Sequence, residues 1–430
     1  MTASPSEYSD FAAFSAYLDG LGLFRMELTP NRMRAALAGL RLTTLPHLAV
    51  QVVGTNGKGS TAAFLAGLLG AHGLPTGLYL SPHFVSVRER ILVGGRPCDE
   101  ADWLAAANAV LAATTAGGEQ GKLTYFELLT AMAARIFTDQ GVEAAIYEAG
   151  LGGAGDATTV LGRDLVLFTP IGLDHAHVIG PGLADIVRDK AAALSPGGLA
   201  VTGPQTPEVL AILRRQADRV GARLHEVGEL AAYDPVTRIA RLSGEKPLLT
   251  PPVKLRLAGP HQARNASLAL AGFALCAGLL GITPDEAAMA RALGETFLPG
   301  RLHLLRLPDM APSLLLDSAH NAPALAALED ALRALRIAPA AMIFTCLRDK
   351  DLGAMAPLAA RLTDGPIFVP ELPGVSRGRP AAEVVAALGQ RAVAVADPAA
   401  ALEAVRHLDG TVLACGSMYM LAALFPASGT

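Results

Sequence analysis

Short apolar runs rich in β-branched residues alternate along this chain with longer stretches rich in alanine and leucine. In the first two thirds, residues 48–53, 76–80, 144–148, 165–169 and 199–202 read as strands. Several are almost continuously apolar rather than alternating, as strands covered on both faces are. Residues 60–72 and 125–140 lie between them and are long enough for crossover helices. The alternation predicts an α/β fold with a mostly parallel sheet between two helical layers. After Pro299-Gly300 the pattern restarts, with strands expected at 302–307, 313–317, 341–346, 366–369, 392–396 and 411–415. A second, smaller α/β domain is therefore predicted, dividing the chain into residues 1–298 and 299–430. Residues 233–252, richer in charge and proline, read as a hairpin or loop excursion within the first domain.

Composition narrows the classes. Of 430 residues, 51% are hydrophobic and 17% charged, which excludes intrinsic disorder. The net charge of −4 provides no broad basic field, so no nucleic-acid partner is expected. Cys98, Cys276, Cys346 and Cys415 form no CxxC pair, so neither a zinc knuckle nor a disulfide framework is predicted. Glu7 and Asp10, without a basic segment, do not read as a signal peptide. Residues 266–283 carry no charge and approach the length needed to cross a bilayer. Their glycines and the polar run His261-Gln262-Ala263-Arg264-Asn265 before them fit a buried helix better. The expectation is a cytoplasmic, monomeric protein with no membrane partner.

The strongest chemical signal is Gly54-Thr55-Asn56-Gly57-Lys58-Gly59-Ser60-Thr61, between an expected strand and an expected helix. Glycines allow the backbone N–H groups to converge on phosphate oxygens, and the helix N-terminus adds partial positive charge. Lys58 is suited to the outer phosphates, and Ser60 or Thr61 to offering a hydroxyl to Mg²⁺. The spelling departs from GxxxxGK[ST]: Val52 stands at the first glycine, and Gly59 is inserted after the lysine. A bare turn has no need of a lysine between two glycines. Glu148 ends an apolar strand and is followed by the loop Gly150-Leu151-Gly152-Gly153-Ala154-Gly155-Asp156, a placement typical of a metal-holding carboxylate. Asp174-His175 alone is a weak signal. Beside Glu148 on a neighbouring strand end, His175 becomes a candidate second ligand. Lys190 by itself reads as a solvated helix charge.

Together these residues resemble bacterial bifunctional dihydrofolate synthase/folylpolyglutamate synthase, a branch of the Mur ligase superfamily. Besides the phosphate loop, the segments that carry the likeness are Ser81-Pro82-His83 through Glu89-Arg90, Leu123-Thr124-Tyr125-Phe126-Glu127, Gly150–Gly153 with Asp156-Ala157-Thr158, and Gly259, His261, Gln262 and Asn265. Pro299-Gly300-Arg301, Asp317, Ala319, His320 and Asn321, Asp349-Lys350-Asp351 and Gly416-Ser417 follow in family order. The resemblance implies a P-loop N-terminal domain that binds ATP and a smaller Rossmann-like C-terminal glutamate-ligase domain. It implies ATP held by Gly54, Asn56, Gly57, Lys58, Gly59, Ser60, Asn265, Arg301 and Asp317. It implies Mg²⁺ on Ser60, Ser81, Glu148 and His175, and a Lys190 carbamylated by CO₂. Dihydropteroate or a reduced folate would lie against Glu27, Leu28, Thr29, Thr124, Tyr125, Phe126, Glu127, Gly155, Asp156 and Ala157, with His320 and Ser417 on the side of L-glutamate.

The implied reaction is an ATP-dependent amide ligation through an acyl phosphate, with Lys58, Glu148, His175 and Lys190 as its chemical core. Departures cluster in one loop. Ala154-Gly155 replace the family's Arg-Leu, and Thr159 replaces an asparagine; Asp189 before Lys190 is one methylene shorter than the usual glutamate. A related Mur-type ligase acting on another carboxylate, such as a modified pterin or a cell-wall precursor, stays open as an alternative. A P-loop kinase would need neither residues 317–321 nor Lys190. A regulatory nucleotide binder would not need to keep Lys58, Glu148, His175 and Lys190 together.

Overall fold

The computed structural model describes residues 7–22, 30–114, 122–174, 176–228, 231–242 and 251–425. Among these, the strands form three sheets. The largest contains β1 (Leu48–Val53), β2 (Thr76–Tyr79), β3 (Ile91–Val93), β4 (Arg96–Pro97), β5 (Ala144–Glu148), β6 (Leu165–Phe168), β7 (Leu199–Thr202) and β8 (Arg223–Glu226), in the order β4-β3-β2-β5-β1-β6-β7-β8. It is parallel from β2 to β8, and β3 and β4 add antiparallel strands at one edge. The excursion after β8 is a small antiparallel sheet of β9 (Ala231–Asp234), β10 (Ile239–Leu242) and β11 (Val253–Lys254). The third sheet contains β12 (His303–Leu305), β13 (Ser313–Leu316), β14 (Ala341–Phe344), β15 (Ile367–Pro370), β16 (Ala392–Val395) and β17 (Thr411–Cys415), in the order β12-β13-β17-β14-β15-β16. All its pairs are parallel except β12 with β13.

Most strands legible in the sequence have apolar runs buried on both faces; β12 and β16 are legible as apolar runs although Leu304 and Val393 are exposed. Along β1, Val50 and Val52 enter the core beneath the helices Lys58–Ala71 and Pro260–Leu280, while Ala49 faces the helix Tyr125–Asp139 and the core around Trp103 and Phe137. The edge strands β3, β4 and β8 gave no comparable signal, because little of them enters the core. The uncharged run lies in the helix Pro260–Leu280, which is long and apolar enough to cross a membrane but is buried against the phosphate-loop helix and β6. Its small residues allow that approach: a Cβ on Gly272 would stand 2.8 Å from the Leu167 side chain.

Strand order sets the location of the chemistry. β1 lies between β5 and β6, so the chain departs to opposite sides of it and leaves a crevice at the carboxyl ends. Val52 is in register with Glu148 on β5 and Leu167 on β6. The loops after β1, β5 and β6 therefore open side by side. In the C-terminal sheet, β17 lies between β13 and β14 in the same way.

Candidate active site

The carboxyl ends of the two large sheets line one cavity of about 500 Å³, a size suited to small-molecule ligands. Its floor is the loop from β1 into the helix Lys58–Ala71. Gly57 has φ +86°, and a Cβ there would stand 2.5 Å from Asn265 Oδ1. Only glycine allows this turn to close on Asn265, whose own amide donates to Gln262 Oε1 at 3.1 Å. Thr55 anchors the loop from the other side, its N–H on Pro170 O at 3.0 Å and its hydroxyl on Gly172 O at 3.0 Å. Lys58 Nζ rests on Thr55 O at 3.1 Å. Burial lowers the pKa of this lysine, against the opposing pull of Glu148 and Asp174. Of the two candidate hydroxyls, Ser60 lines the cavity, whereas the Thr61 hydroxyl is buried with no partner among the described residues.

Glu148 stands over the start of the same helix. A Cβ on Gly59 would lie 3.3 Å from its Oε2, which accepts the Ser81 N–H at 2.7 Å. Burial raises its pKa, while Lys58, the Ser81 N–H and Arg301 lower it. The glycine-rich loop after β5 packs on the helix Leu183–Ala191. Asp189 Oδ2 accepts the Gly153 N–H at 2.8 Å, and Asp189 O accepts the Ala154 N–H at 3.1 Å. The shortened carboxylate thus ties the loop to the helix, and the next residue, Lys190, reaches the cavity although 5% exposed. Burial, with Lys58 adding to it, pushes the Lys190 amine down to about 7. Asp156 caps the short helix Ala157–Val160 and also accepts the Leu151 N–H at 2.8 Å. Gln51, the one polar residue of β1, holds Thr158 and Thr159 at 2.7 and 2.8 Å; Thr159 is thereby used in loop structure.

The C-terminal sheet supplies the opposite wall. Asp317, buried after β13, accepts the Leu302 and Ala319 N–H groups, each at 2.9 Å. It pins the linker where Leu302 takes a left-handed backbone at φ +43°, a costly conformation for a bulky residue. Burial raises the pKa of Asp317, and Arg301 lowers it. His320 Nδ1 bonds Ser318 O at 2.7 Å and must donate to it, leaving Nε2 as an acceptor; burial holds its pKa near 4. Ser417 caps the helix Met418–Ala423.

The structure gathers Gly54, Asn56, Gly57, Lys58, Gly59, Ser60, Ser81, Thr124, Phe126, Glu127, Glu148, Gly155, Asp156, Ala157, Lys190, Asn265, Arg301, Asp317, His320 and Ser417 around this cavity. Tyr125 is the exception within its segment: it turns into the core, 3% exposed, beneath the Arg90 guanidinium at 5.1 Å. Helical geometry separates it from Thr124 and Phe126. Glu127 also has a structural task, closing a capping box with Thr124 and pairing with Arg32. Glu27, Leu28, Thr29 and His175 lie outside the described residues. Arg90, Asp174, Lys350 and Arg377 also line the cavity and were given no role by sequence reasoning. Glu89-Arg90, Asp174-His175 and Asp349-Lys350-Asp351 are visible as segments in the sequence, but nothing in linear order shows that they meet the loop after β1.

Residues 300–418 match the family model described as Mur ligase, glutamate ligase domain. This places the C-terminal half of the cavity in the class of Mur-type ligases. The dihydrofolate synthase/folylpolyglutamate synthase of Escherichia coli is 31% identical over 426 residues, covering 97% of this chain and 96% of that protein. The chain belongs to the dihydrofolate synthase/folylpolyglutamate synthase family. A structure of E. coli FolC in complex with DHPP and ADP superposes with a TM-score of 0.85 at 28% identity, covering 98% of each chain. The Yersinia pestis bifunctional enzyme complexed with AMPPNP and Mn ion superposes with a TM-score of 0.84 at 27% identity, also over 98% of each. The chain spans only about half of some longer relatives. It covers 46% of a Halobacterium salinarum probable bifunctional folylpolyglutamate synthase/dihydropteroate synthase, which is 34% identical over 87% of this chain.

Proposed function

We propose that this protein is an ATP-dependent amide ligase that joins L-glutamate to dihydropteroate, to reduced folates, or to both. The observation that carries the reading is the convergence of Lys58, Glu148 and Lys190 with Arg301, Asp317 and His320 around one cavity between two sheets. The family relationship supports it, as do the relatives crystallised with DHPP and ADP and with AMPPNP and Mn ion. On this reading residues 1–298 form the ATP-binding domain, which also takes the acid substrate, and residues 299–430 form the glutamate-ligase domain, from which Arg301 and Asp317 complete the nucleotide site.

In the proposed mechanism the substrate carboxylate attacks the γ-phosphorus, the bond to the β-phosphate oxygen breaks, and ADP leaves. The glutamate amine then attacks the acyl carbon, loses a proton and expels phosphate. The N–H groups of residues 57–60 and Lys58 hold and neutralise the phosphates, the main protein contribution to phosphoryl transfer. His320, neutral with Nε2 as acceptor, is suited to receive the proton of the attacking amine. The cavity walls keep the acyl phosphate from water.

A magnesium ion fits the donors present. Ser60 and Glu148 supply hard oxygens beside the phosphate loop, and Mg²⁺ uses one or two protein carboxylates with phosphate oxygens and water. Burial has already raised the pKa of Glu148, so a nearby cation would be welcome there. Among the described residues there is no cluster of three or more His, Cys, Asp or Glu for a metal; Ser81 and His175 complete the proposed set. When bound, the ion neutralises the phosphate oxygens. Lys190, with its amine near 7, is partly neutral at physiological pH and suited to add CO₂, giving a carbamate and a proton.

The test is ADP release from the purified protein with ATP and Mg²⁺, with and without glutamate, across dihydropteroate and reduced folates. ADP formation requiring both an acid substrate and glutamate supports the reading. Activity that ignores both, or none with any pterin acid, overturns it.

A further inference from the structure

A polar network joins the two halves of the cavity. Asp174, in the loop after β6, accepts from Lys350 Nζ at 2.7 Å and from Asn321 Nδ2 at 2.9 Å. The Asp174 and Lys350 side chains are 9% and 5% exposed. Asn321 also exchanges two bonds with Asn56 of the phosphate loop: Asn56 Nδ2 to Asn321 Oδ1 at 3.2 Å, and Asn321 Nδ2 to Asn56 Oδ1 at 3.0 Å. The remaining lone pair of Asn321 Oδ1 takes the Ala324 N–H at 2.9 Å and caps the helix Ala322–Ala334. All four bonding positions of this amide are thus in use.

The order of dependence follows from chemistry. A carboxylate only accepts, so Asp174 compels Asn321 to present its NH₂. Because the two amides exchange a pair of bonds, that choice fixes which atom of Asn321 faces which atom of Asn56, and therefore how the Asn56 amide is turned within the loop. Asp174 is charged and buried only while the two sheets face one another, and Lys350 neutralises it from the loop after β14. With the halves apart, both charges return to water.

We propose that Lys350 and Asn321 are positioning residues forming a latch: they dock the C-terminal domain on the phosphate loop and, through Asn321, set the turn of the Asn56 amide that the nucleotide meets. Neither needs to touch a reacting atom. The latch is a second fixing besides the covalent linker at Gly300-Arg301-Leu302, which Asp317 clamps. Two separate fixings constrain the relative orientation of two bodies more than the linker does alone. The inference rests on the ligase reading for its kinetic consequence but not for its structural one.

The experiment compares wild type with Lys350→Met, Asn321→Ala and the conservative Lys350→Arg. Small-angle scattering is recorded with and without ADP and Mg²⁺, ADP affinity by calorimetry, and kcat and KM for glutamate in the ligase assay. Wild type should be compact with ADP bound. Lys350→Met and Asn321→Ala should lose that compaction, weaken ADP binding and raise KM for glutamate, each by roughly 5- to 150-fold, the usual range of site coupling. Lys350→Arg should restore part of each. A merely destabilised fold would lower the melting temperature without removing ADP-dependent compaction. If Lys350→Met does not fold, Asn321→Ala reads the same network without leaving a buried charge unpaired. Scattering profiles and ADP affinities within about twofold of wild type in the folded variants would overturn the latch. A wild type that compacts with ADP but ligates nothing would sink the ligase reading and leave the latch standing.

Discussion

Lys58 and Lys190 are two lysines whose burial lowers the affinity of both for a proton, and each answers it differently. Lys58 has a carbonyl partner and the carboxylate of Glu148 nearby. Replacing it with alanine would remove the proposed charge-assisted contact to the outer phosphate, which should lower kcat by about 10²–10³-fold in a folded protein; steady-state ADP release measures this. Lys190 titrates near 7 in the fold against 10.5 in the unfolded chain. Between those values the unfolded state binds more protons, so this residue makes stability rise with pH above about 7 and weighs fully against folding below it. Lys190→Met should therefore raise the melting temperature by a few degrees at pH 6 in CO₂-free buffer, with the advantage shrinking by pH 9. Calorimetry at the two pH values checks the sign, and the same variant should have lost ligase activity.

At the scale of single elements, the site is a set of turns held open by caps and close approaches. Gly57→Ala forces a side chain onto Asn265 in a left-handed turn and should abolish ADP binding. Gly278→Ala is the matched control: this glycine is exposed within a helix with nothing near its missing Cβ, so alanine should stabilise by about 0.5–1 kcal/mol and leave binding intact. Asp156 caps one helix turn and holds Leu151. Asp156→Ala should cost about 1–2 kcal/mol of stability and also release the loop facing the proposed pterin side. Denaturant titration alongside substrate KM would register both effects.

For the whole molecule, the proposed nucleotide site is divided between two sheets, so its occupancy should report on both. ADP with Mg²⁺ should raise the melting temperature with increasing concentration, contributing about 2.7 kcal/mol at a hundredfold excess over Kd. Adding EDTA should remove most of that gain if Glu148 and Ser60 bind the metal with the phosphates. A thermal shift insensitive to EDTA would exclude metal from the nucleotide complex.

Much of this was legible in linear order. Strands with two buried faces declare themselves as apolar runs, and a lysine between glycines at a strand-to-helix turn has few other uses. Asp317, Arg301 and Asn265 were reached through motif resemblance, and the structure brings them to the same cavity as Lys58. Other features were settled by tertiary structure alone. Tyr125 shares a motif with cavity residues but turns inward, because successive helical residues point in different directions. Thr61 and Ser60 were equivalent in sequence until the helix turned one of them to the cavity. Lys350 lies 176 residues from Asp174 and Asn321 lies 265 from Asn56, and no local pattern carries information over such separations. Local sequence specified elements and loop chemistry, since both depend on neighbours along the chain. The meeting of the two sheets, and the polar network across them, depends on strand order and packing, which only the folded chain expresses.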